Sequence, residues 1–500
     1  MSGLVPSTNQ TKQSYVRKAA ANYGVRPTNP AWQEYQNGTF GLKAQLTRGR
    51  SNDRRGDGQA AGTFLTDLSN MGPIATELKF KHHDDLFEAM MKGVWQNQAL
   101  ITVATIDTEI SDVSTTALTV SAGGANFKAG HLTRTLGFPT AGNNKVARVA
   151  SSTGTAITYT AATFTAETNP IPVGASVRVI GFQGASGDLA TTTTGGNGMT
   201  TAALDFTTLG NGVGSGRWVW IGDITAAGNK FATAGCNGWA RIAKNGVAAN
   251  RLSFDVVPSG FAADAGTGKT IAVYTGDYLQ NGTTVWAFDW EGQQSGVTMP
   301  MYEYFYDTLV NGFTMTIPGG KEITTSFDFI GNQADPIGTV RYAGSTDTAP
   351  PTYGTMTAST NIGDLTEGGV TLMGGINCMS SGSIKIANNI GREPVAGSLG
   401  SSATNVGAFT VTGNVDTYLA DPTIMAKGIN NTLSSFTTFT GNNSGDKEGY
   451  RWDVPAIRLT PESEVGASNT ARKVSGPFEA EPHPTLGYTM SIGRFWYMPS

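Results

Sequence analysis

The sequence predicts a mainly β protein: two β-sandwich or barrel units, each with one short helix, and two smaller β-sandwich modules inserted into the first unit. Three observations favour this fold class. Glycine accounts for 65 of the 500 residues and charged residues for only 14%, which suits short strands joined by tight turns. Apolar and polar residues alternate with period 2 in many short segments. One pattern of roughly 90 residues occurs twice.

The composition also excludes several classes of protein. A net charge of -4 together with 9% aromatic residues argues against a disordered chain. No apolar run reaches the ~18 residues of a membrane-spanning helix, and the N-terminus lacks the basic and apolar pattern of a secretion signal. Cys236 and Cys378 are too few for a disulfide scaffold, so we expect two reduced thiols.

Residues 1–35 are predicted to form an N-terminal arm. The stretch from Thr11 to Lys18 is polar, and Pro27 and Pro30 interrupt any regular element. Such a segment is expected to become ordered only against a neighbouring subunit.

The first unit begins with residues 36–111, which contain the clearest predicted helix. Asp85 is predicted as its N-cap, with Glu88 three residues later, and the helix is expected to end at Val94. One apolar stripe of this helix consists of Leu86, Phe87, Met90, Met91 and Val94. The stripe predicts that one face of the helix is buried.

Residues 112–282 carry the internal repeat and are predicted to be an insertion of two β-sandwich modules, 112–190 and 191–282. The first copy contains the segments 117–120, 146–150 and 174–181, and the second contains 203–206, 239–243 and 268–276. The order of these segments is the same in both copies and their spacing nearly so. Short strands at this period are typical of tandem β-sandwiches.

The first unit resumes with residues 283–333, which contain the strongest hairpin signal. Two segments of alternating apolar and polar residues flank Pro318-Gly319-Gly320. This arrangement predicts a β-hairpin. The looser stretch 334–374, which contains Pro336, Pro350 and Pro351, is predicted to be a linker.

Residues 375–500 are predicted to form the second unit and repeat a feature of the first. In both units a predicted strand leads into a short helix, which ends at Lys92-Gly93 in the first and at Lys427-Gly428 in the second. This echo favours an ancient duplication.

Two motifs are weighed as sites of chemistry. The string from Ala263 to Thr270 resembles a phosphate-binding loop, but Ala263 stands where the first glycine is required and no strand-loop-helix context surrounds it, so we interpret it as a turn. His82-His83-Asp84-Asp85 suggests a metal site. Neighbouring residues of a strand point to opposite faces, however, and the predicted helix cap already accounts for the Asp85 carboxylate. The sequence nominates no catalytic, cofactor-binding or metal-binding residue.

Two further groups of side chains are weighed as binding sites. Trp218, Trp220 and Trp239 suggest a sugar-binding platform, although aromatic residues of a core explain them better. The basic cluster of Arg48, Arg50, Arg54 and Arg55 alternates with acidic residues and lacks stacking aromatics, which favours a solvated or intersubunit loop over a nucleic-acid site.

Charge is distributed unevenly along the chain. Residues 112–282 hold 11 Lys and Arg against 8 Asp and Glu, whereas the remainder holds 23 against 30. An acidic body is compatible with a channel for DNA, because phosphates slide along a wall of like charge without binding to it.

The order of several segments resembles the major tail tube protein family of bacteriophages with long flexible tails (siphophages). The resemblance covers about 36–111 and 283–500. Its carriers are Thr76–Phe80, Asp84–Met90, Ile323–Gly331, Asn414–Leu419, Tyr450–Leu459 and Pro477–Ile492. The resemblance implies tail tube β-sandwich units that polymerise into stacked rings, with immunoglobulin-like modules inserted on the outside.

The resemblance also implies partners and a location. The chain is expected to bind itself, in a trimeric ring if the duplication is real and otherwise in a hexameric one. Tape measure, tail terminator and distal tail proteins are the other expected partners. DNA would pass through the lumen without specific binding. No enzymatic activity, cofactor or membrane is expected, and the protein would be assembled in the host cytoplasm and reside in the virion tail.

Two alternatives stay open at this point. The chain is a host-surface-binding tail component or adhesin that grips glycans with its tandem modules, or it is a tail-associated glycosidase with a pair of carboxylates. The first predicts discrete soluble molecules rather than tubes, and the second predicts turnover of cell-wall or capsule polymers.

Overall fold

The structure is a computed structural model that describes residues 10–53, 56–59, 62–160, 162–167, 170–295, 299–374, 378–397, 399–443, 445–464 and 468–499. Strands make up 48% of the chain and helices 8%. The predicted mainly β fold class is therefore confirmed.

The first nineteen strands extend from the N-terminal region to the end of the predicted insertion. They are β1 (Thr11–Ala19), β2 (Ala31–Glu34), β3 (Thr39–Phe40), β4 (Lys43–Arg50), β5 (Thr63–Glu77), β6 (Leu100–Thr102), β7 (Ile110–Val113), β8 (Ala117–Val120), β9 (His131–Leu136), β10 (Val146–Ser152), β11 (Ala156–Tyr159), β12 (Ser176–Gln183), β13 (Ala190–Thr192), β14 (Gly198–Thr200), β15 (Trp218–Ile221), β16 (Gly238–Ala248), β17 (Arg251–Val256), β18 (Ala272–Thr275) and β19 (Asp277–Gln280).

The remaining strands follow in chain order. They are β20 (Trp286–Gln294), β21 (Met301–Pro318), β22 (Thr324–Gly331), β23 (Gln333–Ala334), β24 (Thr346–Thr348), β25 (Ile362–Glu367), β26 (Val370–Thr371), β27 (Met379–Ala387), β28 (Gly391–Pro394), β29 (Ser401–Asn405), β30 (Thr410–Tyr418), β31 (Ser434–Gly441), β32 (Gly449–Leu459), β33 (Glu462–Glu464), β34 (Lys473–Ser475), β35 (Pro477–Ala480) and β36 (Ser491–Phe495).

The helices are short. The α-helices are α1 (Asp84–Met91) and α2 (Thr423–Ile429). Single 3-10 turns occupy Ala20–Asn22, Gly124–Asn126, Ala141–Asn143, Phe206–Thr208, Gly210–Gly212, Ala227–Asn229 and Ala234–Cys236.

The chain divides into two compact units. One, here called the body unit, comprises Met1–Val94, Gln280–Phe436 and Val454–Glu481. The other, the module unit, comprises Trp95–Leu279, Thr437–Asp453 and Pro482–Ser500. The module unit therefore contains more than the predicted insertion, since it begins earlier and takes in two segments that the sequence assigned to residues 375–500.

Strand β21 is the central strand of the body unit. Its first half pairs with β20, and its second half pairs with β22 on one side and β27 on the other. The sheet continues outward as β22–β5–β4 in one direction and as β27–β30–β35–β32 in the other. The register of β21 and β22, Thr316 opposite Thr324, confirms the hairpin predicted around Pro318-Gly319-Gly320.

The predicted N-terminal arm is part of this sheet. Strand β1 pairs with β20 over its full length, from Thr11 opposite Gln294 to Ala19 opposite Trp286. Trp32 is fully buried and Tyr15 nearly so. The prediction that this segment orders only against a neighbouring subunit is therefore wrong for residues 10–35. The mostly polar sequence of β1 has no alternating apolar pattern, so it did not reveal a strand that pairs with both β20 and β2.

Helix α1 confirms the predicted helix but not its predicted cap. It begins at Asp84, with His83 instead of Asp85 at the N-cap position and no side-chain cap, and it ends at Met91, followed by Lys92 in the left-handed region. The Asp85 carboxylate instead accepts hydrogen bonds from Arg17 (2.8 Å) and Tyr15 (3.0 Å) on β1. A tertiary ion pair thus replaces the local cap.

The second half of the body unit repeats the strand-to-helix order. Strand β5 precedes α1, and β30 precedes α2, which runs through Lys427-Gly428 to Ile429. The stretch 334–374, predicted to be a linker, is more structured than expected. It holds β24, β25 and β26, and it buries Met356 completely.

Each copy of the repeat in the module unit has its own hydrophobic core. Buried residues between Val103 and Val179 form the first, and those between Phe182 and Val273 form the second. Strands β12 and β18 pair with each other and join the two modules into one sheet. Segment 203–206 of the second copy is not a strand; it leads into the 3-10 turn at Phe206–Thr208.

The structure extends the repeat beyond the strands. The Asn144 side chain accepts a hydrogen bond from the Phe138 N–H and donates one to the Phe138 carbonyl, at 2.9 and 2.8 Å. Asn237 makes the same pair of bonds with Phe231, at 2.9 and 3.1 Å. The two loops therefore share the same pair of Asn–Phe hydrogen bonds, and both have the sequence Phe-x-Thr-Ala-Gly-x-Asn.

A buried ion cluster lies beside the centre of β21. Lys18 on β1 contacts Asp289 on β20 (2.8 Å) and Asp307 on β21 (2.6 Å), and all three side chains are at least nine-tenths buried. Asp307 adopts a positive φ of 54° at an irregularity in the strand, and its N–H donates to Asp289 instead of to a ladder partner. Burial raises the pKa of Asp289, and Lys18 opposes that rise.

The substitution Lys18→Met tests the importance of this cluster. We expect it to lower the free energy of unfolding by about 3–5 kcal/mol, because two carboxylates are left buried without their cation. Urea unfolding measures the loss. Lys12→Met is the matched control: Lys12 lies on the same strand and also contacts two carboxylates, but it is one-quarter exposed, so its loss is expected to cost less than about 1 kcal/mol. Equal losses for the two variants would contradict the assignment.

Candidate functional surfaces

One face of the sheet in the body unit is open and polar. A row of cross-strand neighbours runs across six strands and consists of Ala75, Ser326, Thr314, Lys385, Thr412 and Glu479. Each of these side chains is half-buried or exposed. Small hydroxyl groups dominate the row, and its two charges have opposite signs.

The opposite face of the same strands is the core. The adjacent row consists of Ile74, Phe327, Phe313, Ile386 and Val411, all buried. Helix α1 packs on this side, with the Phe87 ring 6.0 Å from those of Phe313 and Phe327. The period-2 pattern of the sequence therefore separates a packed face from a wide, flat surface that has no core function.

A two-stranded ribbon forms a second surface of the body unit. Strands β4 and β5 pair from Lys43 opposite Met71 to Arg50 opposite Thr63. The ribbon exposes Leu46 (55%), Phe64 (54%) and Leu65 (38%). Within the described ranges β5 is the only strand that pairs with β4. The ribbon thus presents both an open strand edge and exposed large apolar side chains.

The string that resembles a phosphate-binding loop is a turn, as predicted. Its backbone and side chains are engaged within the module unit: Lys269 donates to the Ala227 carbonyl (3.0 Å), and Thr270 donates to the Asn229 side chain (2.8 Å). Strand β18 follows it rather than a helix. The string therefore lacks the free N–H cradle and helix start that phosphate binding requires.

The adjacent histidines at the start of α1 are structural. His82 bonds to the Gln36 carbonyl (2.8 Å), and His83 bonds to the Tyr35 hydroxyl (2.8 Å) and the Glu77 carbonyl (3.1 Å). Burial lowers the pKa of His82 to about 4 and also lowers that of His83. Across the described residues, no three His, Cys, Asp or Glu side chains come together in a way that could hold a metal ion.

The three tryptophans belong to a packed cluster in the module unit. The Trp239 ring lies 5.3 Å from that of Trp220, 5.2 Å from that of Phe439 and 5.0 Å from that of Phe495. Trp218 is 7% exposed. The structure therefore supports the core interpretation and offers no platform of three rings for a sugar.

The structure also shows where part of the basic cluster and the two cysteines lie. Arg48 and Arg50 lie exposed on β4, in a strand rather than the predicted loop, whereas Arg54 and Arg55 lie outside the described residues. Cys236 is buried and Cys378 half-buried, and both are free thiols.

Sequence reasoning missed the open face and the ribbon. The alternating pattern that located the strands of the sheet also contained its polar row. Alternation within each strand, however, does not show which strands are neighbours, so it could not reveal that these polar residues form one surface. The ribbon left a weaker signal: a long strand pair with apolar residues, interrupted by the Gly- and Asp-rich segment around Asp57 and Gly58.

None of the helices in the described ranges is long and apolar enough to cross a membrane.

Comparison with known proteins indicates the class of protein. The fold is mainly β. A family model described as phage tail tube protein matches residues 251–480. This part of the chain is similar to that family, and the resemblance found in the sequence is confirmed there. A search of curated proteins finds no match.

The family match has defined limits. It begins inside the second module and ends one residue before Glu481, so the resemblance over 36–111 and over the last residues stays a prediction. It supports a structural component of the phage tail that assembles with itself and with other tail proteins. The immunoglobulin-like character of the modules also stays a prediction.

His131 provides a test of the module unit by pH. Its Nδ1 accepts from the Lys128 N–H (3.0 Å), and its Nε2 lies 3.2 Å from the Leu209 carbonyl, which places the ring proton on Nε2. Protonation would add a hydrogen to Nδ1 and break the first bond. Burial, with a smaller contribution from Lys128, lowers the pKa of His131 to about 4.

We expect His131 to destabilise the module unit as the pH falls from about 6.5 to about 4, because over that range the unfolded chain binds a proton that the folded one does not. The cost is up to about 1.4 kcal/mol per pH unit. Thermal unfolding at pH 7.5 and pH 5 measures it: His131→Gln should be less stable than the wild type at pH 7.5, and the gap should narrow at pH 5. His483→Gln is the comparison: burial also lowers the pKa of this half-buried residue, but less than that of His131, so its gap should narrow less. A gap that is the same at both pH values would refute the assignment.

Proposed function

We propose that the chain polymerises into stacked rings that form the hollow tail tube through which phage DNA passes into the host. The family match supports a structural tail protein. The observation that best supports polymerisation is the ribbon of β4 and β5, which exposes an unpaired strand edge and three large apolar side chains.

The ribbon is a surface that needs a partner. An isolated two-stranded ribbon is marginally stable in water, and a third strand or a packing surface stabilises it. A neighbouring copy supplies both when its own strand edge pairs with β4 and its surface covers Leu46, Phe64 and Leu65. Pairing edge to edge satisfies backbone N–H and C=O groups that otherwise stay exposed. Self-association therefore pairs the open strand edge and covers the exposed apolar side chains at the same time.

The open polar face fits the wall of a DNA channel. Its hydroxyl groups from Thr314, Ser326 and Thr412 carry no charge, and its single cation in the row, Lys385, lies beside Thr412 and within two strands of Glu479. A wall without a continuous positive patch releases few counterions and does not hold phosphates. The face is thus suited to let DNA slide.

A trimeric ring is the favoured arrangement. The order of strand and helix occurs twice in the body unit, as β5 with α1 and as β30 with α2. Three chains would supply six such halves, whereas a chain with a single half would need six copies. Tape measure, tail terminator and distal tail proteins are the proposed partners at the tube's interior and ends, and the host cytoplasm is the proposed place of assembly.

Electron microscopy of the purified full-length protein tests the proposal. Long hollow tubes with a regular axial repeat are the expected result, and class averages viewed down the axis would count three or six copies per ring. Protein that remains as discrete particles at high concentration would overturn the proposal and favour an adhesin.

The substitution Phe64→Asp is expected to abolish tube formation, because it places a charge in the surface that a neighbouring copy must cover. Circular dichroism should be unchanged, since the side chain is exposed and such substitutions change stability by about 0.5 kcal/mol or less. Sedimentation and microscopy measure assembly. Val173→Asp is the matched control: Val173 is similarly exposed (61%) but lies in the first module. Tubes formed by the Phe64 variant would show that the ribbon is not an interface.

The double substitution Thr314→Lys and Thr412→Lys tests the channel wall. Tubes should still assemble, but they should retain short duplex DNA, and the retention should fall steeply as salt is raised. Co-sedimentation of labelled DNA with tubes measures the effect. Serine at the same two positions is the control and should leave the tubes free of DNA. If the lysine tubes also retain none, the polar face does not line the bore.

A further inference from the structure

The second module has an aromatic face that its own strands do not cover. Trp218 and Trp220 on β15 and Trp239 on β16 lie on that face, with Val256 of β17 beside them. The core of the module is on the other side and consists of different residues. A module complete in itself would leave these rings in water, at a cost of about 25 cal/mol for each Å² of apolar surface.

Segment 437–453 provides part of the cover. Phe439 packs on Trp239 at 5.2 Å. The Arg451 guanidinium, on a side chain only 1% exposed, lies 4.3 Å from the Trp218 ring and 4.7 Å from the Trp239 ring. Asp453, fully buried, contacts Arg241 of the module at 3.3 Å.

The last residues of the chain complete the cover. Phe495 is fully buried and lies 5.0 Å from Trp239. Tyr488 donates a hydrogen bond to Asp453 (3.0 Å) and lies 3.1 Å from the Gly216 carbonyl. Strand β36 pairs with β32 on one side and with β19 on the other, so the final strand of the chain is an interior strand.

A buried carboxylate depends on the same residues. Asp277 is fully buried and accepts hydrogen bonds from Arg494 (2.7 Å), from the Trp496 indole (2.6 Å) and from the Gln98 N–H (2.8 Å). Two of these three donors belong to the last seven residues of the chain. Without them Asp277 would keep the Gln98 N–H and the more distant Arg178 guanidinium (3.6 Å) but would lose its nearest cation and the indole donor. Removing partners from a buried carboxylate is destabilising.

We propose that residues 482–500 are a strap that closes the module unit and that this strap is separable: it binds a preformed surface made by 95–279 and 437–453. The partner of the aromatic face is thus residues 482–499, held by strand pairing with β19 and β32, by the packing of Phe495 on Trp239 and by the Asp277 carboxylate. A chain without residues 482–499 would expose part of the surface of Trp218, Trp220 and Trp239.

A cleavable full-length protein tests the strap. A protease site is inserted between Glu481 and Pro482, where the chain passes from one unit to the other. After cleavage we expect fragment 482–500 to co-elute with the remainder in gel filtration and to dissociate only slowly in buffer. An excess of fluorescent peptide 482–500 should then exchange into the cleaved protein, whereas a peptide with Arg494→Met and Trp496→Ala should not. A fragment that separates at once in buffer would overturn the proposal.

A second measurement does not require cleavage. In the full-length protein, Arg494→Met with Trp496→Ala should red-shift tryptophan emission and speed amide exchange in β36, β32 and β15 several-fold. Lys473→Met, at a residue of the body unit whose amine lies over the Tyr418 ring, is the control and should change neither. Unchanged exchange in β15 for the double variant would show that the face does not depend on the chain's end. The Phe64→Asp variant is expected to lose tube formation while its strap stays bound. The strap measurements on this variant therefore test the strap independently of the proposed function.

Discussion

Pairing between strands that are distant in the chain is the constraint on which the rest of the structure depends. Strand β1 finds its partner in β20, 271 residues away at the Lys18–Asp289 contact, and β36 is inserted between β19 and β32. Every buried backbone N–H and C=O needs a partner, and each one left without costs about 1–3 kcal/mol. The order of strands is therefore fixed by the need to leave few edges. Among the described residues the long strand β4 pairs only with β5, so its other edge is the natural place for another chain.

Buried charges mark the places where distant strands meet. Lys18 joins β1 to β20 and β21, and Asp277 joins the end of the insertion to the last strand. Such clusters contribute little net stability compared with apolar packing, but removing one member is costly. They act as specificity devices: a strand shifted by one residue would bury a charge without its partner, so the correct register is strongly favoured.

The surfaces follow from the same alternation. A strand that sends every second side chain into the core must send the others out, and in the body unit those others are threonines, serines and few charges. The described residues that resembled sites of chemistry are engaged in hydrogen bonds within the fold: His83 with Tyr35 and Glu77, and Lys269 with Ala227. What is left for function is an extended face and an exposed ribbon, which suits a protein that acts by assembling.

The sequence by itself determined the mainly β class, the β21–β22 hairpin, the helix at α1 and the tandem repeat, because each depends on neighbouring residues: alternation, turn chemistry and apolar spacing. Only the tertiary structure decided that residues 10–35 belong to the sheet, that Asp85 pairs with Arg17 rather than capping its helix, and that the chain's last strand closes the module unit. These depend on contacts between residues from 68 to more than 200 positions apart. A local pattern shows that a side chain needs a partner, but only the folded chain selects which distant segment provides it.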